Sequence, residues 1–314
     1  MTKLELVVDE LHDGARLDKT IIALCNGASR ARVKKAIEAG EVRVNGRILP
    51  KGGVVKTGDV ISVDEVIAQR GTSPCVAEPD APLSIRYELR ELLIVDKPAG
   101  QPTAPLRDGE TGTLANAILG HFPELLGVGY SAREPGIVHR LDTETSGLVV
   151  VARNAHAFDR LRQLLKDKKI LKEYLLVCRS EDLPDEGTIE YPIANHPKDK
   201  KRVYPCMHPR DVIRYAPRPA TTRYRVEERT EKWALVRAEA PRAIRHQIRV
   251  HFAAIEHPLA GDTLYGGEEV PGLERHALHA ERVAYDGDEE SDKGIAFDVV
   301  SPMPEDIAQL VRRA

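Results

Sequence analysis

The run Gly136-Ile-Val-His139-Arg140-Leu-Asp142-Thr-Glu144-Thr145-Ser-Gly147 gathers reactive side chains into one short polar segment between apolar pieces. Polar loops held by strands are where catalytic groups collect. Asp142 follows Arg140 by two positions, and a neighbouring cation favours the ionised form of a carboxylate. An ionised carboxylate serves as nucleophile or as general base. On spacing alone the favoured reading is an Asp that caps a turn through Thr143 or Thr145. A glycosidase-like pair of Asp142 with Glu144 is a further alternative, although 4% aromatic content leaves few rings for stacking sugars.

Other chemistries find little footing. The chain has no G-x-x-x-x-G-K-S/T, no G-x-G-x-x-G after a strand, no H-E-x-x-H and no H-x-E with P-C-x-x-C, which argues against nucleotide-dependent, zinc-hydrolytic and zinc-deaminase activities. The pairs His246/His251 and His276/His279 lack a suitably placed third ligand, so they read as hydrogen-bonded structural histidines, with no metal expected. Cys25, Cys75, Cys178 and Cys206 are scattered without a C-x-x-C pair and read as reduced thiols. No apolar run approaches the ~18 residues of a membrane span. The charged N-terminus does not resemble a signal peptide. A cytoplasmic protein is expected.

The elements that must carry the polar loop follow from periodicity. At 314 residues, two domains are expected. Leu17, Ile21, Ile22 and Leu24 to Cys25 have the spacing of a helix face, as do Val33, Ala36 and Ile37, with Ser29 as a cap and Gly40 as a stop. Val42 to Val44 alternates into Asn45-Gly46, a hairpin signal, and Val60 to Val63 reads as another strand. The Pro-rich stretch 67–82 reads as a linker. The boundaries are therefore a small module over 12–66, the linker over 67–82 and a larger domain over 83–314. In the larger domain, Leu92–Val95, Leu148–Val151, Tyr174–Val177, Thr222–Val226 and Ala234–Ala238 read as strands. Helices are predicted near 113–121, 155–168 and 245–255. Strands and helices do not alternate regularly. The pattern predicts an α+β fold, with a mixed, mainly antiparallel sheet, flanking helices and a small α/β module ahead of it.

His139-Arg-Leu-Asp142-x-x-Thr145-Ser-Gly147 resembles the signature of the RluA-type pseudouridine synthases. Further segments agree in the family's order: Leu93-Ile-Val-Asp-Lys97-Pro98-Ala-Gly100, Lys172-Glu-Tyr174-Leu, His246-Gln-Ile-Arg249-Val-His251, His257-Pro258, Gly261-Asp262, Tyr265-Gly266-Gly267 and Leu278-His279-Ala280. The N-terminal module resembles the α-L RNA-binding module of a small-subunit ribosomal protein, through Arg16-Leu-Asp18, Ser29-Arg30, Gly40-x-Val42-x-Val44-Asn45-Gly46 and Gly58-Asp59-x-Ile61.

The resemblance implies an enzyme that isomerises uridine to pseudouridine in RNA without a cofactor. Asp142 would be the nucleophile, Tyr174 would lie against the uracil face, and Arg249 would pair with the catalytic carboxylate. His139, Arg140, Thr145, Arg245, His246 and Gln247 would contact substrate. The target base must leave its stack. Arg30, Arg32, Lys34, Lys35, Arg43 and Arg47 would bind RNA, with large-subunit ribosomal RNA favoured and transfer RNA an alternative. No membrane or obligate protein partner is implied. The competing reading is a non-catalytic RNA-binding or ribosome-assembly protein that kept the fold, but such a protein has no need of Asp142, Tyr174 and Arg249 together. Two departures stand out. Ala243-Ile244-Arg245 replaces the family's common G-R-T, with Arg245 expected four positions before Arg249 on the same helix face and Arg242 another basic replacement. Pro102-Thr103-Ala-Pro105 stands where many members carry a His-Pro.

The formal charge of −3 conceals strong local imbalance. Residues 30–56 hold eight Lys and Arg against two Asp and Glu, residues 195–249 hold fifteen against six, and residues 256–314 hold five against fourteen. The two basic stretches are predicted to converge on an RNA-facing side, with the acidic C-terminal region elsewhere. RNA affinity should then fall steeply as salt is raised, despite a pI near 6.4. A flat salt dependence in a filter-binding titration would refute that expectation.

Overall fold

A computed structural model describes residues 3–25, 30–50, 52–64, 74–129, 131–287 and 294–312. Ser29, the expected helix cap, and residues 67–73 of the expected linker lie outside the described residues, as do the side chains of Arg30 and Arg32. Contacts divide the chain into two compact units. One comprises Met1–Cys75 with Arg107–Gly109 and Tyr130–Glu134, and the other holds the remainder.

The first unit packs α1 (Leu17–Leu24) and α2 (Arg30–Glu38) on a three-stranded antiparallel sheet, in the order β1 (Lys3–Val7), β3 (Val60–Asp64), β2 (Arg43–Val44). Ile21, Val33, Val55, Ile61 and Val63 are fully buried between the layers. β1 lies ahead of residue 12, so the unit starts earlier than hydrophobic spacing suggests. Asn45 and Gly46 both take positive φ, the conformation of a type I′ hairpin turn. The return limb reaches only the single bridge of Val44 with Arg47, and β2 pairs instead with β3. The Asn45 side chain fixes that pairing by accepting from Val60 N–H (2.9 Å) and donating to Asp59 (2.7 Å).

The second unit is built on a nine-stranded sheet. Its order is β4 (Ile85–Glu88), β5 (Leu92–Lys97), β6 (Ser146–Ala152), β13 (Leu278–Tyr285), β7 (Leu171–Arg179), β12 (Trp233–Glu239), β11 (Thr222–Arg229) and β8 (Glu186–Ile189), with β14 (Phe297–Val300) on β13. Among the described residues, β6 and β13 run parallel and the other ladders of this sheet are antiparallel, as the mixed-sheet expectation requires. A two-stranded hairpin, β9 (Ile193–Asn195) and β10 (Val203–Pro205), stands apart from the sheet. The helices are α3 (Leu114–His121), α4 (Ala155–Lys166), α5 (Pro209–Tyr215), α6 (Gln247–Ala254) and α7 (Glu305–Arg312). All seven residues of β6 are buried, since α4 covers one face and further core the other, so the strand reads as an unbroken apolar run. β13 is hard to read from sequence because it carries the hydrogen-bonded His279 together with Glu281 and Arg282, whose charges are paired within the fold. Residues 76–81 are bonded onto α3 rather than left as a free connection. Glu78 N–H donates to Asn116, and Asn116 donates to the Val76 carbonyl.

The charge blocks counted along the chain do not segregate in space. Arg249 pairs with Asp262, Lys232 with Glu268, and Arg237 with Glu281, so the acidic C-terminal region directly neutralises part of the basic stretch. Adjacent sheet strands and the helix they support bring these side chains together, and burial of a cation demands such a partner. The expected separation of the two blocks is therefore corrected.

Gly147 sits where the sheet leaves no room for a side chain. It pairs with Lys97 of β5 on one side and Ala280 of β13 on the other, at φ +113°. A Cβ there would stand 2.2 Å from the Ala280 carbonyl oxygen. Gly147→Ala should destabilise the protein by roughly 3 kcal/mol through backbone strain and overpacking together. A urea melt that leaves the midpoint unchanged would contradict this.

Candidate active site

The polar loop 139–145 enters the sheet through β6, and its backbone is captured one carbonyl at a time. The Thr103 hydroxyl donates to Leu141 O (2.8 Å), Thr145 N–H to Asp142 O (3.1 Å), Lys97 Nζ to Thr143 O (3.0 Å) and Arg275 to Glu144 O (3.4 Å). Thr103 also accepts from Leu141 N–H (3.2 Å), so the departure at 102–105 supplies a brace for the loop. Lys97 is fully buried at the end of an aliphatic strand and gives its other bonds to Pro98 O and Gln101 O (both 2.8 Å). Burial pushes its pKa down to about 7, against the pull of Glu144 and Asp142. Its third hydrogen bond is therefore fully donated on the acid side of neutrality.

So held, the Asp142 side chain is turned away from any turn-capping role. Its Oδ2 accepts from Arg249 Nη1 at 3.0 Å, and it remains about one-fifth exposed. Arg249 lies on α6, 7% exposed, and its remaining face is occupied by Asp262, which accepts from Nε (2.7 Å) and Nη2 (2.8 Å). Burial alone would push the Arg249 guanidinium down. Hydrogen bonds and charge from Asp262, then Asp142, outweigh burial and hold its pKa above the ordinary value. Tyr174 on β7 and Leu278 on β13 line the same cleft as Asp142, as do Arg140, Ala243, Ile244 and the run His246 to Arg249. Burial, reinforced by the Asp142 charge, pushes the Tyr174 phenol up, so it stays neutral. His246 comes within 3.8 Å of Asp142. Burial pushes its pKa down, partly opposed by Asp142, so the ring is neutral near pH 7.

The structure thus brings Asp142, Tyr174 and Arg249 together, with Arg140 exposed at the mouth and His246 beside them. The other expected substrate contacts are otherwise engaged. His139 accepts from Val150 N–H (3.1 Å), and burial pushes its pKa down to about 3. Thr145 is hydrogen-bonded to His276 (2.7 Å). Gln247 donates to Thr221 O and Thr222 and accepts from Ile244 N–H, tying the start of α6 to β11. α6 begins at Gln247, with His246 in the left-handed conformation as its cap, so Arg245 precedes the helix and does not share a face with Arg249. Arg245 instead donates to the carbonyls of Lys200 (3.2 Å) and Arg202 (2.7 Å). In the first unit Lys34, Lys35, Arg43 and Arg47 are exposed. His251, His276 and His279 each hydrogen-bond within the protein, and among the described residues no three metal-ligating side chains converge.

Sequence reasoning gave no role to Asp262, Lys97, Thr103 or Arg275. A Lys closing a strand that opens with four aliphatic residues, Leu92 to Val95, was the available signal for Lys97, since such a position is buried and a buried cation needs acceptors.

Comparison with known proteins accords with this geometry. Residues 91–254 match the RNA pseudouridylate synthase family, and residues 15–61 match the S4 domain. An uncharacterized RNA pseudouridine synthase of Bacillus subtilis, YlyB, is 32% identical over 99% of this chain and 98% of its own. Ribosomal large subunit pseudouridine synthase D of Escherichia coli is 33% identical over 98% of this chain and 93% of its own. Among solved structures, human RNA pseudouridylate synthase domain containing 4 aligns with a TM-score of 0.54 at 22% identity, over 73% of this chain and 92% of that one, which speaks to the fold alone.

Removing Asp262 leaves Arg249 buried with one carboxylate instead of two. Asp262→Ala should cost about 3–5 kcal/mol in stability and lower turnover at least ten-fold, with Asp262→Asn milder because it keeps an acceptor. Denaturant unfolding and turnover measured on the same preparations check both, and wild-type values for Asp262→Ala would remove the residue from the site.

Proposed function

The chain belongs to the RNA pseudouridylate synthase family and carries an S4 domain, and from that premise we propose that it converts uridines of large-subunit ribosomal RNA to pseudouridine with Asp142 as the nucleophile. The enzyme is an RNA pseudouridine synthase. The observation that supports Asp142 is its carboxylate, partly exposed in a cleft, held by Arg249 and facing the cavity that Tyr174 lines. The support for ribosomal RNA is the name carried by the synthase D relatives, together with the S4 domain.

The reaction is an isomerisation. The bond from the ribose to uracil N1 breaks, the base turns, a bond forms to C5, the C5 proton leaves and N1 gains one. The Asp142 carboxylate assists while the base is detached. Arg249 orients that carboxylate, and Asp262 fixes Arg249 so that little reorganises during the step. The neutral Tyr174 ring offers a flat wall to the uracil face.

The cleft encloses about 40 Å³, room for a few waters. The unstacked base therefore enters by displacing the rim, where Arg140 is exposed to hold the opened strand. Unstacking costs a few kcal/mol and is least costly in loops and bulges. In this reading residues 12–66 and 83–314 act as RNA-binding and catalytic domains. Lys34, Lys35, Arg43 and Arg47 contact phosphates, and the protein works in the cytoplasm alongside its RNA.

Ribosomal RNA labelled with tritium at uracil C5 tests this directly. The wild type should release tritium, and Asp142→Ala should lose at least about a thousand-fold in rate. Release by neither protein from large-subunit RNA would remove that substrate. Full activity in Asp142→Ala would remove the nucleophile assignment.

A further inference from the structure

Arg202 differs from Arg249 in having no carboxylate partner among the described residues. Arg249 is shared between Asp142 and Asp262, whereas Arg202 makes no ion pair among the described residues. Its Nε is buried without a hydrogen-bond partner, and its guanidinium carbon lies 5.3 Å from the centroid of the Tyr265 ring. Arg249 stands 5.2 Å from the same centroid. The same aromatic ring thus contacts an unneutralised planar cation and the cation that holds Asp142.

This placement is constructed by several bonds. Arg202 ends the connection between β9 and β10, on which Lys198, Lys200 and Lys201 are exposed. The Tyr265 hydroxyl accepts from Val203 N–H (2.9 Å) and is hydrogen-bonded to His246 Nδ1 (2.9 Å). Arg245 clamps the same connection through the carbonyls of Lys200 and Arg202. The residue that departs from the family's common G-R-T therefore anchors a basic hairpin to the rim of the cleft. A guanidinium stacked on an aromatic ring presents its remaining N–H groups in a fork matched to phosphate oxygens.

We propose that Arg202 binds a backbone phosphate of the RNA adjoining the uridine that enters the cleft, with Tyr265 and Arg245 as positioning residues that hold it there. The proposal rests on the reading that Asp142 acts on a uridine in RNA. The stacked cation has no ion pair among the described residues and shares the Tyr265 ring with Arg249, so it offers an open counter-charge to the strand flanking an unstacked nucleotide. The exposed lysines of the same hairpin extend the track for phosphates further along the strand.

The test uses the full-length protein, an unmodified large-subunit ribosomal RNA transcript for binding, and the C5-tritiated RNA for turnover. Arg202→Ala should raise KM about ten-fold, leave kcat within about two-fold, and make the slope of log affinity against log salt shallower by about 0.7–0.9, the loss of one phosphate contact. Arg202→Lys should restore the slope but not the full KM, because it keeps the charge and loses the fork. It also serves where Arg202→Ala folds poorly. Tyr265→Phe, which keeps the ring and frees the hairpin from the hydroxyl, should raise KM in the same direction. An unchanged salt slope and KM in Arg202→Ala would overturn the proposal, as would a kcat loss at constant KM. The slope is read from binding alone, so a wild type that releases no tritium refutes the underlying reading, while an unchanged slope refutes the phosphate site.

Discussion

A buried guanidinium with a carboxylate on each side sets the terms for this protein. Arg249 is almost fully enclosed on α6, and a charge so placed is tolerated only when its donors are spent on counter-charges. Asp262 takes two of those donors from the buried side, and Asp142 takes another from the side that opens to the cleft. The same arrangement keeps Arg249 charged and gives Asp142 a fixed direction. Because Asp262 satisfies the cation independently, Asp142 can engage a substrate without leaving a bare buried charge behind.

The loop that carries Asp142 obeys a related constraint. Four consecutive carbonyls, from Leu141 to Glu144, are bound by Thr103, Thr145, Lys97 and Arg275. Thr145 belongs to the loop itself, and the other three partners come from segments distant in the chain. Their effect is to make a loop as determinate as a strand, leaving the Asp142 side chain as the group available to the cleft. Gly147 then lets the chain pass between β5 and β13 immediately after the loop, at a separation that admits no Cβ.

Electrostatics in this fold is local. The arginines and lysines of 195–249 look like one basic surface when counted, but several are consumed by acids from 256–314 or by carboxylates within β11 and just ahead of β8. Among the described residues, Arg202 and Arg245 near the cleft make no ion pair. Net charge and block charge along a sequence therefore predict little about where an anion will settle. The decisive matter is which cations have been left without a partner by the fold.

Much was legible in the residues themselves. The central strands β5, β6, β7, β11 and β12 are aliphatic runs or alternations that no helix spacing matches, and the polar segment ending at Gly147 reads as a loop held by strands. The pairing of Arg249 with the carboxylate was implied by family resemblance, since a separation of 107 positions carries no geometric information. The start of α6 was misplaced because the left-handed His246 leaves no composition signal, and that error put Arg245 on the wrong face. β13, with its internally paired charges, was invisible for the same reason that Asp262 was. Sequence by itself determined the strand and helix types, the reactive loop and the family, because these depend on local pattern and motif order. Tertiary structure alone decided which charges neutralise one another, which hydroxyls and lysines brace the loop and which arginine is left over. Those outcomes depend on burial and on contacts between distant segments, and desolvation makes such contacts decisive only once the chain is folded.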